Sequence, residues 1–210
     1  MCIRDRHNDA KTPNVTEGRH LGIGGSDCYT LCHGKPDDVD RLWFEKLKMV
    51  DPVDLSDNFR VRLGTYTEEF NRKIFFEKMA KKEKCTPEGY QRGIYPIATS
   101  RTVNTKYGPV PLFAHLDDYD HEDDVVIEYK HTSENKLVRD VVETYQPQVQ
   151  HYMHVTNSDT AYLSVIFGNA RHSIKKIPRD PMFIEGLKNL LRKFWICVVD
   201  KTRPSTLIGK

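Results

Sequence analysis

The chain reads as one α/β domain in which a mixed central β-sheet is flanked by helices. Two observations carry that expectation. The apolar residues switch between helical and alternating periods in the order helices, strands, helix, two strands, helix. The 210 residues suffice for one substantial core, and 38% of them are hydrophobic against 30% charged. A formal net charge of +2 excludes a uniformly basic surface, yet it permits a basic groove beside an acidic site. No apolar run approaches the length of a membrane span, and the N-terminus lacks the apolar stretch of a signal peptide. A cytoplasmic protein without a membrane partner is therefore expected. The five cysteines show no paired pattern. Cys28 and Cys32 lie one helical turn apart with no second pair, and read as core or surface thiols rather than zinc ligands.

Residues 1–14 show no periodicity and are expected to form a disordered lead-in. Residues 15–200 make the single domain, and 201–210 a loose tail. RHLGIGGSD (Arg19 to Asp27) is a glycine-loosened turn that Ser26 or Asp27 caps into a helix through Cys32. Such a turn presents backbone N–H groups to an anion, and Arg19 and Ser26 have the donors to hold a phosphate there; taken alone, an ordinary capped helix is the plainer explanation. Val39, Leu42, Trp43, Leu47 and Val50 give a helix over 37–50 that ends at Pro52, with Trp43 in the core. A long helix follows from about Ser56 to Lys82, its buried stripe expected at Phe59, Leu63, Tyr66, Phe70, Ile74 and Met79. By itself Glu68 on that helix reads as a solvated glutamate.

A strand is expected from Gly89 to Ser100, then a turn over Thr105 to Pro111. PLFAHLDDYDHEDDVVIEYKH (Pro111 to His131) follows as two strands joined by an acidic turn, the first ending on Asp117 and the turn, Asp118 to Asp124, solvated. Alternation places Glu128 and Lys130 on one face and Tyr129 on the other. If the strands pair, Asp117 lies beside Glu128, and two carboxylates with a lysine suit a hard divalent cation. Pro147 predicts a break near Tyr145 and a fresh helix from Pro147 to Thr156, with Gln148 one turn before Tyr152. Two hairpin-linked strands (Asp159 to Phe167 and Arg171 to Ile177) and an amphipathic helix (Met182 to Val199) complete the domain.

Several separated motifs agree with one family. Asp117 with Glu128-Tyr129-Lys130 matches a D…ExK core. Gly64-Thr65-Tyr66-Thr67-Glu68 matches a helix glycine with a glutamate four residues on. Tyr145, Gln148-Val149-Gln150 and Tyr152-Met153 match a Y-x-x-Q-V-Q helix, and Arg19 and Ser26 match an upstream arginine and serine. The chain thus resembles the lambda exonuclease and YqaJ-like phage recombinases of the PD-(D/E)XK nuclease superfamily, over roughly Arg19 to Val199. The resemblance implies a restriction-endonuclease-like core and a Mg²⁺-dependent 5′→3′ exonuclease on double-stranded DNA ends, with Mn²⁺ able to substitute. It implies that Asp117, Glu128, the Tyr129 carbonyl and Glu68 hold the metal. Lys130 would position or activate water, Gln148 would support it, and Arg19 and Ser26 would bind the 5′-phosphate. It further implies a single-strand annealing protein as partner for the 3′ strand, and a homotrimer.

His115 and Asp118 depart from the family pattern, which expects serine and glycine there. Further DNA-phosphate contacts are expected from Lys136, Arg139, Arg171, Lys175 and Lys176. The alternatives are a structure-selective endonuclease or nickase on the same fold, and a catalytically idle DNA-end-binding protein.

Overall fold

The structure, a computed structural model, describes residues 18–105 and 108–204. The expected lead-in, 1–14, lies outside the described residues. Among the described residues, five strands form one sheet in chain order: β1 (Ile94–Thr105), β2 (Gly108–Asp120), β3 (Val125–Thr132), β4 (Thr160–Phe167) and β5 (Arg171–Pro178). Strands β3 and β4 are parallel and the other neighbours antiparallel. A parallel pair needs a crossover, and helix α5 (Val138–Thr156) supplies it.

Alternation on β3 assigns the two faces. Val126 belongs to the larger core, with α1 (Gly25–His33), α2 (Pro36–Lys46), α5 and α6 (Pro181–Val199). Ile127 and Tyr129 join a smaller core, with Phe75, Phe76 and Met79 of α3 (Phe59–Glu83). Glu128 therefore faces the larger core from within the sheet. Trp43 is buried there and donates its indole N–H to the Cys197 carbonyl at 2.9 Å. A short helix, α4 (Pro87–Tyr90), leads into β1.

Several expectations are corrected. The strand expected over 89–100 begins at Ile94 and runs to Thr105, and β2 starts at Gly108 and continues past Asp117 to Asp120. The turn expected over 105–111 is thus strand at both ends, because pairing partners override the local Gly-Pro signal. Helix α2 stops at Lys46 instead of Val50. The break at Tyr145 does not occur, and α5 is continuous through a buried Pro147. One backbone hydrogen bond is forfeited, but the following turns are buried. Gln150 also ties the helix to Pro178 O and Asp180 N, each at 2.9 Å. The expected tail is anchored at its start, where Thr202 N–H bonds Cys197 O at 3.0 Å and Arg203 reaches Asp40 at 3.3 Å.

The largest correction concerns α3. Phe59, Leu63, Tyr66 and Phe70 are exposed and Ile74 is half-buried; of the expected stripe Met79 is buried, together with Asn71, Phe75, Phe76 and Ala80. The helical period was right, but only the second half of the helix packs on the sheet. The acidic turn also loses a member: Asp118 is 0% exposed. Among the described residues, no helix is long and apolar enough to cross a membrane.

Candidate active site

Strands β2 and β3 stay paired for only three positions, Asp120↔Val125 to Asp118↔Ile127. Asp117 and Glu128 are the next positions beyond that ladder, where the strands part. Asp117 Oδ2 accepts the Tyr129 N–H at 2.8 Å, a carboxylate standing where a strand carbonyl would otherwise be. Beyond this point β2 takes another neighbour. Ile23 bridges to Leu112, with Ile23 N–H to Pro111 O at 2.9 Å and Phe113 N–H to Ile23 O at 2.8 Å.

Alternation sends the other side chains to opposite faces. On the α3 face, Asp118 receives Arg72 Nε at 2.7 Å, Arg72 Nη2 at 3.0 Å and the Tyr129 hydroxyl at 2.7 Å. On the α5 face, Glu128 is 1% exposed, and its Oε1 accepts from both Lys130 Nζ and Gln148 Nε2, the latter at 2.8 Å. The same Gln148 amide reaches the Tyr152 hydroxyl at 2.9 Å. Glu128 Oε2 is buried with no hydrogen-bond partner among the described residues. Burial raises the Glu128 carboxyl above its ordinary range, the Asp117 charge adds to this, and Lys130 offsets part of it. Burial also raises Asp117, against the pull of Lys130 and the Tyr129 N–H. For Lys130 desolvation acts against the charge, but Glu128 and Asp117 outweigh it and the ammonium titrates above its usual value. Lys130 Nζ lies 5.2 Å over the Tyr145 ring.

Glu68 enters from α3. Its side chain is exposed, yet its carboxyl is pushed up to about 7, first by lost solvation and then by the Asp117 charge. Its neighbour Thr67 bonds His131 Nδ1 at 3.1 Å, which ties this turn of α3 to β3. Among the described residues, no three acidic, histidine or cysteine side chains stand close enough together to hold a metal ion by themselves. Asp117 and Glu128 flank the strand fork, while Glu68 stays on the solvent side of it.

Arg19 and Ser26 line a cavity of about 380 Å³ together with His115, Phe113, Ser100 and Tyr152. Arg19 Nη2 stands 3.4 Å from Ser26 Oγ and 3.2 Å from Asp27 Oδ1. Asp27 is itself buried. Its Oδ2 accepts from Gly24 N at 2.8 Å and from the buried Lys46 Nζ at 2.5 Å, and Lys46 also bonds the Arg19 carbonyl at 2.6 Å. This holds the turn Arg19–Leu21 against α1 and α2 and aims the guanidinium. Gly25 is required here, since a Cβ would lie 2.6 Å from the Tyr152 ring. Tyr152 thus joins the cavity to Gln148 and Glu128.

Of the residues expected to bind DNA elsewhere, Arg171 is engaged by the Glu134 and Lys136 carbonyls at 2.9 and 2.5 Å. Lys136, Arg139, Lys175 and Lys176 are accessible. Asp27, Lys46, Arg72, Asn71 and Tyr152 were not singled out as site residues from sequence. Asp27 gave a signal only as a helix cap, and the lysine and arginine sit in helices where a solvated charge is the ordinary reading.

The element order and the mixed five-strand sheet flanked by helices are those expected of a restriction-endonuclease-like core. Within that class, the sequence profile of the YqaJ-like viral recombinase domain matches residues 16–159, and the chain belongs to that family. Solved structures agree on the fold. An alkaline exonuclease from Laribacter hongkongensis is 14% identical with a TM-score of 0.61, over 89% of this chain and 92% of its own. A putative exonuclease from Eubacterium rectale is 12% identical with a TM-score of 0.55, over 100% of this chain and 89% of its own. No curated protein matches the sequence.

Proposed function

We propose that the protein is a Mg²⁺-dependent exonuclease that degrades one strand of duplex DNA from its ends, 5′→3′, leaving 3′ single strands. The observation that carries this reading is Glu128, buried at the strand fork beside Asp117 with one oxygen held by Lys130 and Gln148 and the other unpaired. A buried carboxylate oxygen without a partner is costly and fits a cation. Mg²⁺ is commonly held by one or two carboxylates and keeps several waters, so Asp117, Glu128 and the Tyr129 carbonyl suffice, with Glu68 acting through water. Bound metal supplies charge neutralisation at the scissile phosphate and makes water acidic enough to attack near neutral pH. Mn²⁺ would substitute.

Lys130 holds the attacking water and the phosphate in line, and Gln148 keeps Glu128 and Tyr152 in register with it. Arg19 and Ser26 take the terminal 5′-phosphate in the adjoining cavity, which supports 5′→3′ polarity. His115 lines that cavity too. The family also suggests an annealing protein that receives the 3′ strand, and a homotrimer; the exposed apolar turns of α3 are a surface that such an assembly would cover. Similarity in fold to an alkaline exonuclease and a putative exonuclease supports exonuclease activity.

End-labelled linear duplex tests this directly. Mg²⁺ should release 5′-terminal nucleotides first, chelator should abolish the release, and covalently closed circles should survive. Cutting of closed circles, or earlier loss of a 3′ label, refutes the exonuclease reading. Removing the 5′-phosphate should slow digestion.

The raised carboxyls set a pH dependence. At pH 6 Glu68, with its pKa near 7, is largely protonated, and burial raises the Asp117 and Glu128 carboxyls as well. Metal must displace those protons, so affinity grows as pH rises, by up to about tenfold per unit for each proton released. The half-saturating Mg²⁺ concentration should fall between pH 6 and 8 in wild type. A flat response across that window contradicts the assignment.

A further inference from the structure

Glu68 and the Glu128–Lys130 pair come from elements distant in sequence, so something must fix the first half of α3 against β3. Hydrophobic packing does not: the apolar side chains at 59, 63, 66 and 70 are exposed, and the first buried residue of the helix is Asn71, 1% exposed. Its Nδ2 donates to Lys130 O at 3.1 Å and to Ser164 O at 3.0 Å. Its Oδ1 accepts from Ser164 Oγ at 2.7 Å and meets His172 Nε2 at 3.0 Å. Both donors and both acceptor positions of the amide are thereby filled. Lys78 Nζ lies 2.9 Å from His172 Nδ1, which makes Nδ1 the acceptor and Nε2 the donor toward Asn71 and Ser164.

We propose that Asn71 is a positioning residue for the catalytic cluster, with Ser164 and His172 as its lock. It grips the peptide of Lys130 itself, three residues after Glu68 on the same helix. With the Thr67–His131 bond it clamps α3 to β3 on both sides of Glu68. A buried amide satisfied on all sides is met in one rotation of the helix only, whereas an apolar side chain there would pack through a range of them. Neither donor nor acceptor is dispensable, so aspartate cannot replace it. The inference rests on the nuclease reading for its catalytic consequence but not for its structural one.

Two readouts test it. In Asn71→Leu, amide hydrogen exchange should quicken over 62–70 and stay unchanged over 75–83, whether or not the protein cuts DNA. On linear duplex, kcat should fall about 10- to 100-fold, the cost of a misplacement near 1 Å, with KM for DNA within about threefold. That loss should disappear when Asn71→Leu is made in a Glu68→Gln background. Unchanged exchange over 62–70, or full additivity with Glu68→Gln, overturns the proposal. If Asn71→Leu does not fold, Ser164→Ala loosens the same lock and should show the same pattern at smaller size. A wild type that leaves duplex intact in Mg²⁺ sinks the nuclease reading alone, and the exchange data then decide the clamp.

Discussion

Lys130→Ala should lower the turnover of linear duplex DNA by roughly 10²- to 10⁴-fold or more while leaving DNA binding within a few-fold of wild type. The lysine works twice in the site. It stands beside the fork where the scissile phosphate is proposed to lie, and it is the cation that keeps Glu128 from titrating still higher. Removing it leaves a carboxylate that is 1% exposed with only Gln148 as donor. Glu128 then holds its proton to higher pH. The variant should therefore lose rate and shift its residual activity to more alkaline pH, together with a weaker apparent affinity for Mg²⁺. Single-turnover rates across a pH series, with binding followed separately on end-labelled duplex, check all three. Near-normal turnover refutes the role of Lys130, and a loss confined to binding transfers it to phosphate capture.

Arg72→Met should destabilise the fold by roughly 3–5 kcal/mol, since it strands a buried carboxylate. Asp118 is 0% exposed and depends on the two guanidinium bonds and the Tyr129 hydroxyl. Burial already raises its carboxyl, and Arg72 is the first group that lowers it again. For a chain of this size the loss amounts to roughly 10 °C in melting temperature. Removing both partners, as Arg72→Met with Asp118→Leu, should recover most of that loss, because no charge is then left unpaired. Urea unfolding of the two single variants and the double variant closes the cycle. Strict additivity would mean that the pair contributes nothing as a pair. The residue that departs from the family pattern beside Asp117 thus belongs to a support on the far face of the sheet, away from Glu128.

Much of the site was legible because its signals are local. The i, i+2 alternation placed Glu128 and Lys130 together and Tyr129 opposite, and the i, i+4 spacing put Gln148 in line with Tyr152. The faces of β3 follow that alternation, and Gln148 bonds both Glu128 and Tyr152. Asp118 was misread as part of a solvated turn, since a run of acidic residues carries no mark for the one member that an arginine 46 positions earlier will bury. Pro147 was misread as a break because local propensity counts one lost hydrogen bond and not the buried turns around it. The apolar stripe on α3 was misread because periodicity reports that a helix has two faces, not what covers either.

The sequence alone determined the order of elements, the faces of the strands, the family and the residue types proposed to hold a cation and a phosphate. These depend on backbone periods of two and 3.6 residues and on side-chain chemistry, all of which are properties of short stretches. Tertiary structure alone decided where β2 and β3 part, which half of α3 is covered and which charges are buried as pairs. It also made Asp27–Lys46, Arg72–Asp118 and Asn71 the supports of the site. Those outcomes depend on contacts between residues tens of positions apart, and desolvation turns an ordinary surface charge into a structural one only once the chain has closed around it.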